Sequence, residues 1–430
     1  MAMVVKNNMS AISTLNTLNK NSSALSKSLQ KVSSGMKING AADDASGYAI
    51  SERMRVQIRG LDQANQNTQN GSSMMKVAEG AVSSTVDILK TLKEKVINAA
   101  NDTNTDADRQ TIQKELDQSI DQINDNANVT YNGKYLVDGS HNSFVSATTT
   151  SMTNQSLNTG SSFASTFTTL TDRNNNSLNI QSSDTITLSY VKEGETHTVT
   201  VKGASSLNDI IAAASTDLAT GNASKVIGKD VAGDTVYTAD GHSALTLTAK
   251  GTGVEKQISG ITFSVTDTKG NVKKSANALL DNFSESIRAQ NKSDDNSINL
   301  QVGTKSNQAI KVGLTDMRAE ALGLQAKDGK TLNISTKEYA NAAINVLDNA
   351  VQKALDQQTT IGAVQSRLEY TSSNLTTASE NVQASESTIR DADMAKEMTN
   401  YTKNNVLMQA AQAMLSQANQ SSSSVLSLLQ

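Results

Sequence analysis

Not one proline interrupts the 430 residues of this chain, although proline averages about 5% of a protein. Proline removes a backbone donor and clashes with the preceding turn, so a chain without it can run in long unbroken helices. The first 36 residues carry a pattern that uses this freedom. Val4, Asn8, Ala11, Leu15, Leu18, Ser22, Leu25, Leu29, Val32 and Met36 recur at alternating spacings of four and three. That is a coiled-coil seam with polar residues at two positions. Lys6, Lys20, Lys27, Lys31 and Lys37 lie off the seam, with no acid among them. Asn39-Gly40 then predicts the end of the helix.

A second helix is expected from about Asp44 to Asn101, with Ile50, Met54, Leu61, Ala64, Met75, Ala78, Val82, Leu89, Leu92, Val96 and Ala99 on its seam. At 1.5 Å per residue such a rod is roughly 85 Å long, more than a small globular domain needs. A third follows from about Asp106 to Asn126, with Ile112, Leu116, Ile120 and Ile123 on one face. The character changes near Gly139. Residues 140–275 are rich in Ser, Thr, Asn and Gly, and stretches such as "DTITLSYV", "THTVTVKG", "SALTLTAKG" and "GITFSVTD" alternate as short strands do. Helical sequence resumes at Ser275, residues 297–317 suggest a hairpin, and a last long helical region starts near Thr336. Beyond Lys403 no charge remains, yet Ala411, Met414, Ala418, Val425 and Leu428 keep an apolar stripe. The fold class is therefore mainly α: a long helical hairpin rod formed by both chain ends, with a β-rich insertion in the middle. Helices with an unpartnered seam are unstable in water, so the two ends are expected to pair with each other and with further copies.

Composition removes several functions. Lys and Arg number 38 against 42 Asp and Glu, a formal charge of −4, which argues against binding nucleic acid by bulk electrostatics. No stretch approaches the ~20 apolar residues that span a bilayer, so no membrane insertion is expected. The apolar run of "MAMVVKNNMS" ends at Val5 and does not make a secretory signal. With no cysteine there is neither disulfide nor thiolate metal site.

The stretch "SSGMKINGAADDASGYAISERM" carries adjacent carboxylates at Asp43 and Asp44. They could be an acid/base pair, a metal site, or the cap of a helix at a joint. A general acid needs a pocket and a partner and none is visible, so an N-cap with a first-turn acid is the better reading. His141, His197 and His242 have no metal-ligand spacing, and His-Glu-x-x-His is absent. "KGTGVEK" at 250–256 lacks the third glycine of a dinucleotide loop and the Gly-Lys-Ser/Thr of a phosphate loop, and reads as a turn. Met9, Met54, Met74, Met75, Met408 and Met414 read as core filler. No catalytic residue, metal or cofactor is expected.

Two long stretches resemble bacterial flagellins. "LQKVSSGMKINGAADDASGYAISERMRVQIRGLDQANQNTQNGSSMMKVAEGAV" (29–82) is similar to the family's most characteristic segment. "IRDADMAKEMTNYTKNNVLMQAAQAMLSQANQSSSSVLSLLQ" (389–430) is similar to its closing segment. The likeness covers roughly 1–139 and 276–430, and Ser421 to Ser424 depart from it where many relatives have proline.

The resemblance implies an inner filament coiled coil from 1–40 plus 395–430, a helical rod from 41–139 plus 276–394, and a projecting domain from 140–275. Leu15, Leu18, Leu25, Leu29, Val32, Met36, Val406, Ala410, Met414, Ala418, Val425 and Leu428 would carry assembly. Asn39, Gly40, Asp43 and Asp44 would form the spoke joint. It also implies a homopolymer outside the cell, flagellar cap and hook-associated partners, an export chaperone, and passage through a type III apparatus without a cleaved signal. The receptor-contacting helix of the family resembles Leu89, Thr91, Leu92, Glu94 and Lys95 here. Strong agonists of the vertebrate flagellin-sensing Toll-like receptor have Arg where Thr91 stands and Leu where Lys95 stands, so weak signalling is expected. A hook–filament junction protein shares the terminal pattern and is the alternative. A chemoreceptor signalling hairpin would need a membrane anchor, and an enzymatic flagellin a catalytic cluster within 140–275.

Overall fold

The computed structural model describes residues 8–219 and 221–428. Its elements in chain order begin with α1 (Met9–Ser34), α2 (Ala45–Ala99) and α3 (Asp106–Ala127). A β-rich run follows: β1 (Thr130–Tyr131), β2 (Lys134–Tyr135), β3 (Ser151–Asn154), β4 (Thr185–Lys192), β5 (Glu195–Lys202), α4 (Leu207–Ala213), β6 (Asn222–Ser224), β7 (Val226–Lys229), β8 (Thr235–Tyr237), β9 (Ala244–Thr248), β10 (Ile258–Thr266), α5 (Lys274–Leu280) and β11 (Phe283–Ile287). The chain closes with β12 (Ile298–Gln301), β13 (Ala309–Val312), α6 (Ala319–Leu322), α7 (Lys337–Arg390) and α8 (Met394–Leu428). Long helices at both ends enclose a β-rich middle, as the periodicities require.

Two compact units share this chain. One comprises residues 1–67, 302–308 and 370–430, and the other 68–301 and 309–369. In the second unit, β10, β4 and β5 make one antiparallel sheet, and β11, β3, β9 and β6 make another. Alternation explains the first sheet: Ile186 and Leu188 of β4 are fully buried, as are Val265 and nearly Phe263 of β10. They join Phe167, Leu207, Ile210 and Leu280 in one apolar core. β11 pairs with β3 (Phe283 opposite Asn154), so a strand follows residue 275, where the sequence suggested helix. The stretch around 275 holds only the short α5. Its neighbour Asn154 explains the continuation, because its side-chain amide donates to the carbonyls of Leu279 and Leu280 and fastens the end of α5 to β3.

The helical part of this unit buries Met75, Ala78, Val82, Leu89, Leu92 and Val96 of α2, Leu116, Ile120 and Ile123 of α3, and Ala340, Ala343, Leu347 and Ala350 of α7. A capping box at Thr105 and Asp108 starts α3. Arg109, 6% exposed, donates from Nε to the Ala99 carbonyl at 2.9 Å and so staples the end of α2 to α3. The β region sits on α7 through amide side chains. Asn349 donates to the Ser259 carbonyl at 2.8 Å, and Asn345 to the Ile261 carbonyl at 3.0 Å. Gly260 lies between these contacts, where a Cβ would stand 3.0 Å from the Val346 nitrogen; only glycine permits this approach.

Asp281 belongs to the same contact. It accepts from the Phe263 N–H and from Asn345 Nδ2, both at 3.2 Å. Burial pushes its carboxyl up to about 6, against the pull of those donors. A folded-state value above the unfolded one means that the native chain holds the proton more tightly between about pH 4 and 6. This group therefore loses stabilising effect as pH rises through that window. Asp281→Asn keeps the acceptor and removes the titration. Thermal melts should show the variant gaining on the wild type by about 2 kcal/mol between pH 4 and 7; parallel curves would show that Asp281 does not couple to folding.

Candidate assembly interface

The joint between α1 and α2 and the pairing of α1 with α8 lie within the first unit. α1 stops at Ser34, five residues before Asn39. Gly35 takes the left-handed conformation (φ 69°) and donates to the Lys31 carbonyl at 2.9 Å. The predicted stop at Asn39-Gly40 is thus corrected: Gly35 ends the helix. Asn39 and Gly40 instead begin a tight turn, in which the Asp43 N–H donates to the Gly40 carbonyl at 3.1 Å and Asp43 Oδ2 accepts from the Asn39 N–H at 3.1 Å.

The adjacent aspartates do different work. Asp43 closes that turn. Asp44 caps α2: its Oδ1 accepts from the N–H groups of Ser46 and Gly47 at 3.0 Å and from Ser46 Oγ at 2.9 Å. The Gly47 N–H, more than any other group, holds the Asp44 carboxyl below its ordinary value. This contribution is present above the unfolded pKa and lost as pH falls through the folded one. A Cβ at Gly47 would press on Asp44 Oδ2 at 2.5 Å and on Ile38 at 2.7 Å, so glycine keeps the cap open. Among the described residues no group of three or more His, Asp or Glu is arranged to hold a metal ion.

Arg390 fastens this joint to the α7–α8 link. Its carbonyl accepts the Lys37 N–H at 2.6 Å, and the Ala392 N–H donates to the Gly35 carbonyl at 2.9 Å. Its guanidinium, 8% exposed, donates to Glu52 at 2.7 Å and to the sulfur of Met36 at 3.1 Å, and lies 5.7 Å over the Tyr48 ring. The Arg390 bond in turn draws the Glu52 carboxyl below its usual range. No local sequence signal marks Arg390 as a clamp: Glu386, four residues before it, lies at 3.9 Å, but Glu52 and Met36 are more than 330 positions away. Of the predicted assembly residues, only Met36 belongs to this clamp.

α1 packs on α8 with the chains antiparallel: Asn8 Nδ2 donates to the Ala418 carbonyl (3.1 Å), Asn21 Nδ2 to the Leu407 carbonyl (3.2 Å), and Asn404 Nδ2 to Ser28 Oγ (3.1 Å). The covered face of α1 is Ala11, Thr14, Leu18, Asn21, Leu25, Ser28 and Val32, again at spacings of three and four. This corrects the expected seam. Leu18, Leu25 and Val32 do face α8, whereas Leu15 and Leu29 are 45% and 52% exposed and Thr14 and Ser28 take the inner positions. On α8 the covered face is Glu397, Tyr401, Asn404, Met408, Ala411, Leu415 and Ala418. Ala418 was expected there. Val406 (57% exposed), Ala410 and Met414 (62% exposed) lie off it. The side chains of Val425 and Leu428 lie outside the described residues, as does Val4. Met9 is exposed too, so its reading as core filler fails, while Met74 and Met75 are buried.

The receptor-like residues are in the second unit. Leu89 and Leu92 are buried in its core and unavailable as contacts. Thr91 and Glu94 are exposed, and Lys95 pairs with Glu115 at 3.0 Å.

The chain matches the bacterial flagellin N-terminal helical region over residues 5–142 and the C-terminal helical region over residues 344–429. It is 37% identical to a flagellin of Clostridium tyrobutyricum, over 97% of this chain and 99% of the relative. The chain belongs to the flagellin family. A flagellin of Bacillus subtilis strain 168 is 30% identical over 99% of this chain and 100% of that one, and a flagellar filament 33 kDa core protein of Treponema phagedenis is equally similar over the same shares. The joint and the paired terminal helices of this flagellin thus fall in the two segments that the family descriptions cover.

Arg390→Lys keeps the charge of the clamp but loses the planar fork and its stacking on Tyr48. Hydrogen exchange at the Lys37 and Ile38 amides should quicken by about tenfold; unchanged rates would show that Arg390 is dispensable. The amides between α1 and α8 set register at a cost in stability. Asn21→Leu should stabilise the pair by roughly 1 kcal/mol while broadening the distance distribution between spin labels at Asn19→Cys and Gln412→Cys. A narrow distribution in the variant would remove this role from Asn21.

Proposed function

We infer that this flagellin is a structural subunit of a bacterial flagellar filament and assembles through α1 and α8 into a helical propeller for motility. The near full-length identity to flagellins carries the reading. The exposed Ile12, Leu15, Leu29, Val406 and Met414 on the terminal helices support the mode of assembly, because apolar surface left in water by the lone chain is stabilised when a neighbour covers it. Residues 1–40 and 395–430 form the inner tube, 41–139 and 276–394 the surrounding rod, and 140–275 the outward domain. Asn39, Gly40, Asp43 and Asp44 make the spoke between tube and rod.

The subunit leaves the cell through the flagellar type III apparatus with an export chaperone, and adds beneath a cap protein, on a base of hook-associated proteins. It carries no catalysis and no cofactor. Its encounter with the vertebrate flagellin-sensing receptor is weak: Thr91 offers no planar cation and Lys95 is engaged by Glu115.

Seeded elongation tests this reading, followed by electron microscopy. The full chain should lengthen filament seeds and a chain lacking residues 395–430 should not; equal growth by the truncated chain, or none by the full one, would sink it. A junction protein would bind the seed end and stop. Thr91→Arg with Lys95→Leu should lower the half-maximal dose in receptor reporter cells by about tenfold or more, and an unmoved dose curve would exclude these positions from recognition.

A further inference from the structure

The lysines of α1 are not scattered. Lys20, Lys27 and Lys31 are spaced by seven and four, which places them within about 40° of arc on one helix face, over about 16 Å of rise. That face is turned away from the centre of the surface that packs on α8: Lys20 and Lys27 are exposed and Lys31 is half-buried. None of the three has an ion pair or side-chain hydrogen bond among the described residues. Two grooves sharing Lys27 continue the stripe: one holds Lys20, Ser23 and Ala24, the other Lys31, Lys37 and Ile38. Small side chains between the lysines leave room for a helix to approach. α1 has no acid at all, and α8 has only Glu397 in its described part. Asp43 and Asp44 border the second groove; one oxygen of each accepts from the Asn39, Ser46 and Gly47 N–H groups, and neither forms an ion pair with a lysine among the described residues.

A complementary stripe exists on the same unit. Glu380 is exposed and without an ion pair among the described residues, and Asp391 is exposed eleven positions later. Helical bonding reaches that far, since the Asp391 N–H donates to the Ser387 carbonyl at 2.8 Å. Eleven residues also separate Lys20 from Lys31. The two pairs are opposite in sign and match in span and in facing one side of a helix.

We propose that the Lys20–Lys27–Lys31 face of α1 docks on the Glu380–Asp391 stripe of a second copy of this chain. The proposal rests on the filament reading and specifies one of its lateral contacts. Charges brought together as subunits add make elongation sensitive to salt, because exposed pairs are screened.

The test is the rate of seeded elongation against sodium chloride, with circular dichroism as the control for folding. Wild-type elongation should slow by about tenfold between roughly 50 and 500 mM salt. Lys20→Gln/Lys27→Gln/Lys31→Gln should be slow at low salt and nearly flat across the range. Lys20→Glu/Lys27→Glu/Lys31→Glu should stall on its own seeds, and adding Glu380→Lys and Asp391→Lys to that chain should restore growth. If the glutamine variant keeps the wild-type rate and salt slope, the lysines face solvent and the docking is wrong, while the filament reading stands. Failure of the double swap to rescue a folded chain overturns the pairing with Glu380 and Asp391. A wild type that never elongates seeds removes both.

Discussion

The grip of Arg390 on the turn after α1 is the interaction on which the arrangement of the first unit depends. One residue contributes a carbonyl to the Lys37 N–H and a guanidinium to Glu52, Met36 and Tyr48. It holds together the two places where the chain passes between a long helix and a terminal one. A buried guanidinium without partners would be costly. Here Nε reaches the Met36 sulfur, Nη1 reaches Glu52 and the plane lies over Tyr48, and the fork's fixed geometry turns those contacts into an orientation. Bringing residues some 350 positions apart into contact has an entropic cost that rises only logarithmically with the length of the loop. The two sheets between the ends can therefore be large without weakening the joint.

Beyond the joint the two units differ in how complete they are. In the second, α2, α3, α7 and the sheets bury their apolar faces, and amide side chains settle the backbone groups where strands meet helix. In the first, the apolar cluster beyond the joint is small: Leu61, Ala64 and Leu375, with Ala378 and Val382 beside them. α1 and α8 meet through faces whose apolar residues are interrupted by Thr14, Asn21, Ser28 and Asn404. Such a face specifies register more than it stabilises.

Much of this was legible in the sequence. The absence of proline, the heptads and the alternating strands gave the order of elements, and Asp44 showed itself as a cap. The face of α1 did not, for a geometric reason. Ala11, Leu18, Leu25 and Val32 belong to two heptad frames at once: one is completed by Leu15, Ser22 and Leu29, the other by Thr14, Asn21 and Ser28. Hydrophobicity favours the first frame, while the amide bonds of Asn21 and Asn404 select the second, and pattern alone cannot weigh a hydrogen bond to a helix far along the chain. Gly35 was overlooked because Asn39-Gly40 is the stronger turn signal, although either glycine suits a left-handed residue. Arg390 was invisible as a clamp because an i,i+4 pair with Glu386 is all that its neighbourhood in sequence suggests, while Met36, Tyr48 and Glu52 lie far along the chain. β11 was hidden by the helix-like stretch just before it.

The unused frame makes physical sense once the chain is seen as a unit of something that grows. A helical pair with a single apolar frame is complete when its two members meet, and it has nothing left with which to hold another. Growth without limit requires a surface that the folded subunit cannot satisfy by itself, placed so that each addition exposes the same surface again; head-to-tail contacts of that kind do not close. On α1 the inner frame holds α8 with polar register marks, the outer frame keeps Leu15 and Leu29 in water, and Lys20, Lys27 and Lys31 have no ion pair among the described residues. Under the proposed docking, this one helix divides its circumference among three neighbours, of which α8 is supplied by its own chain.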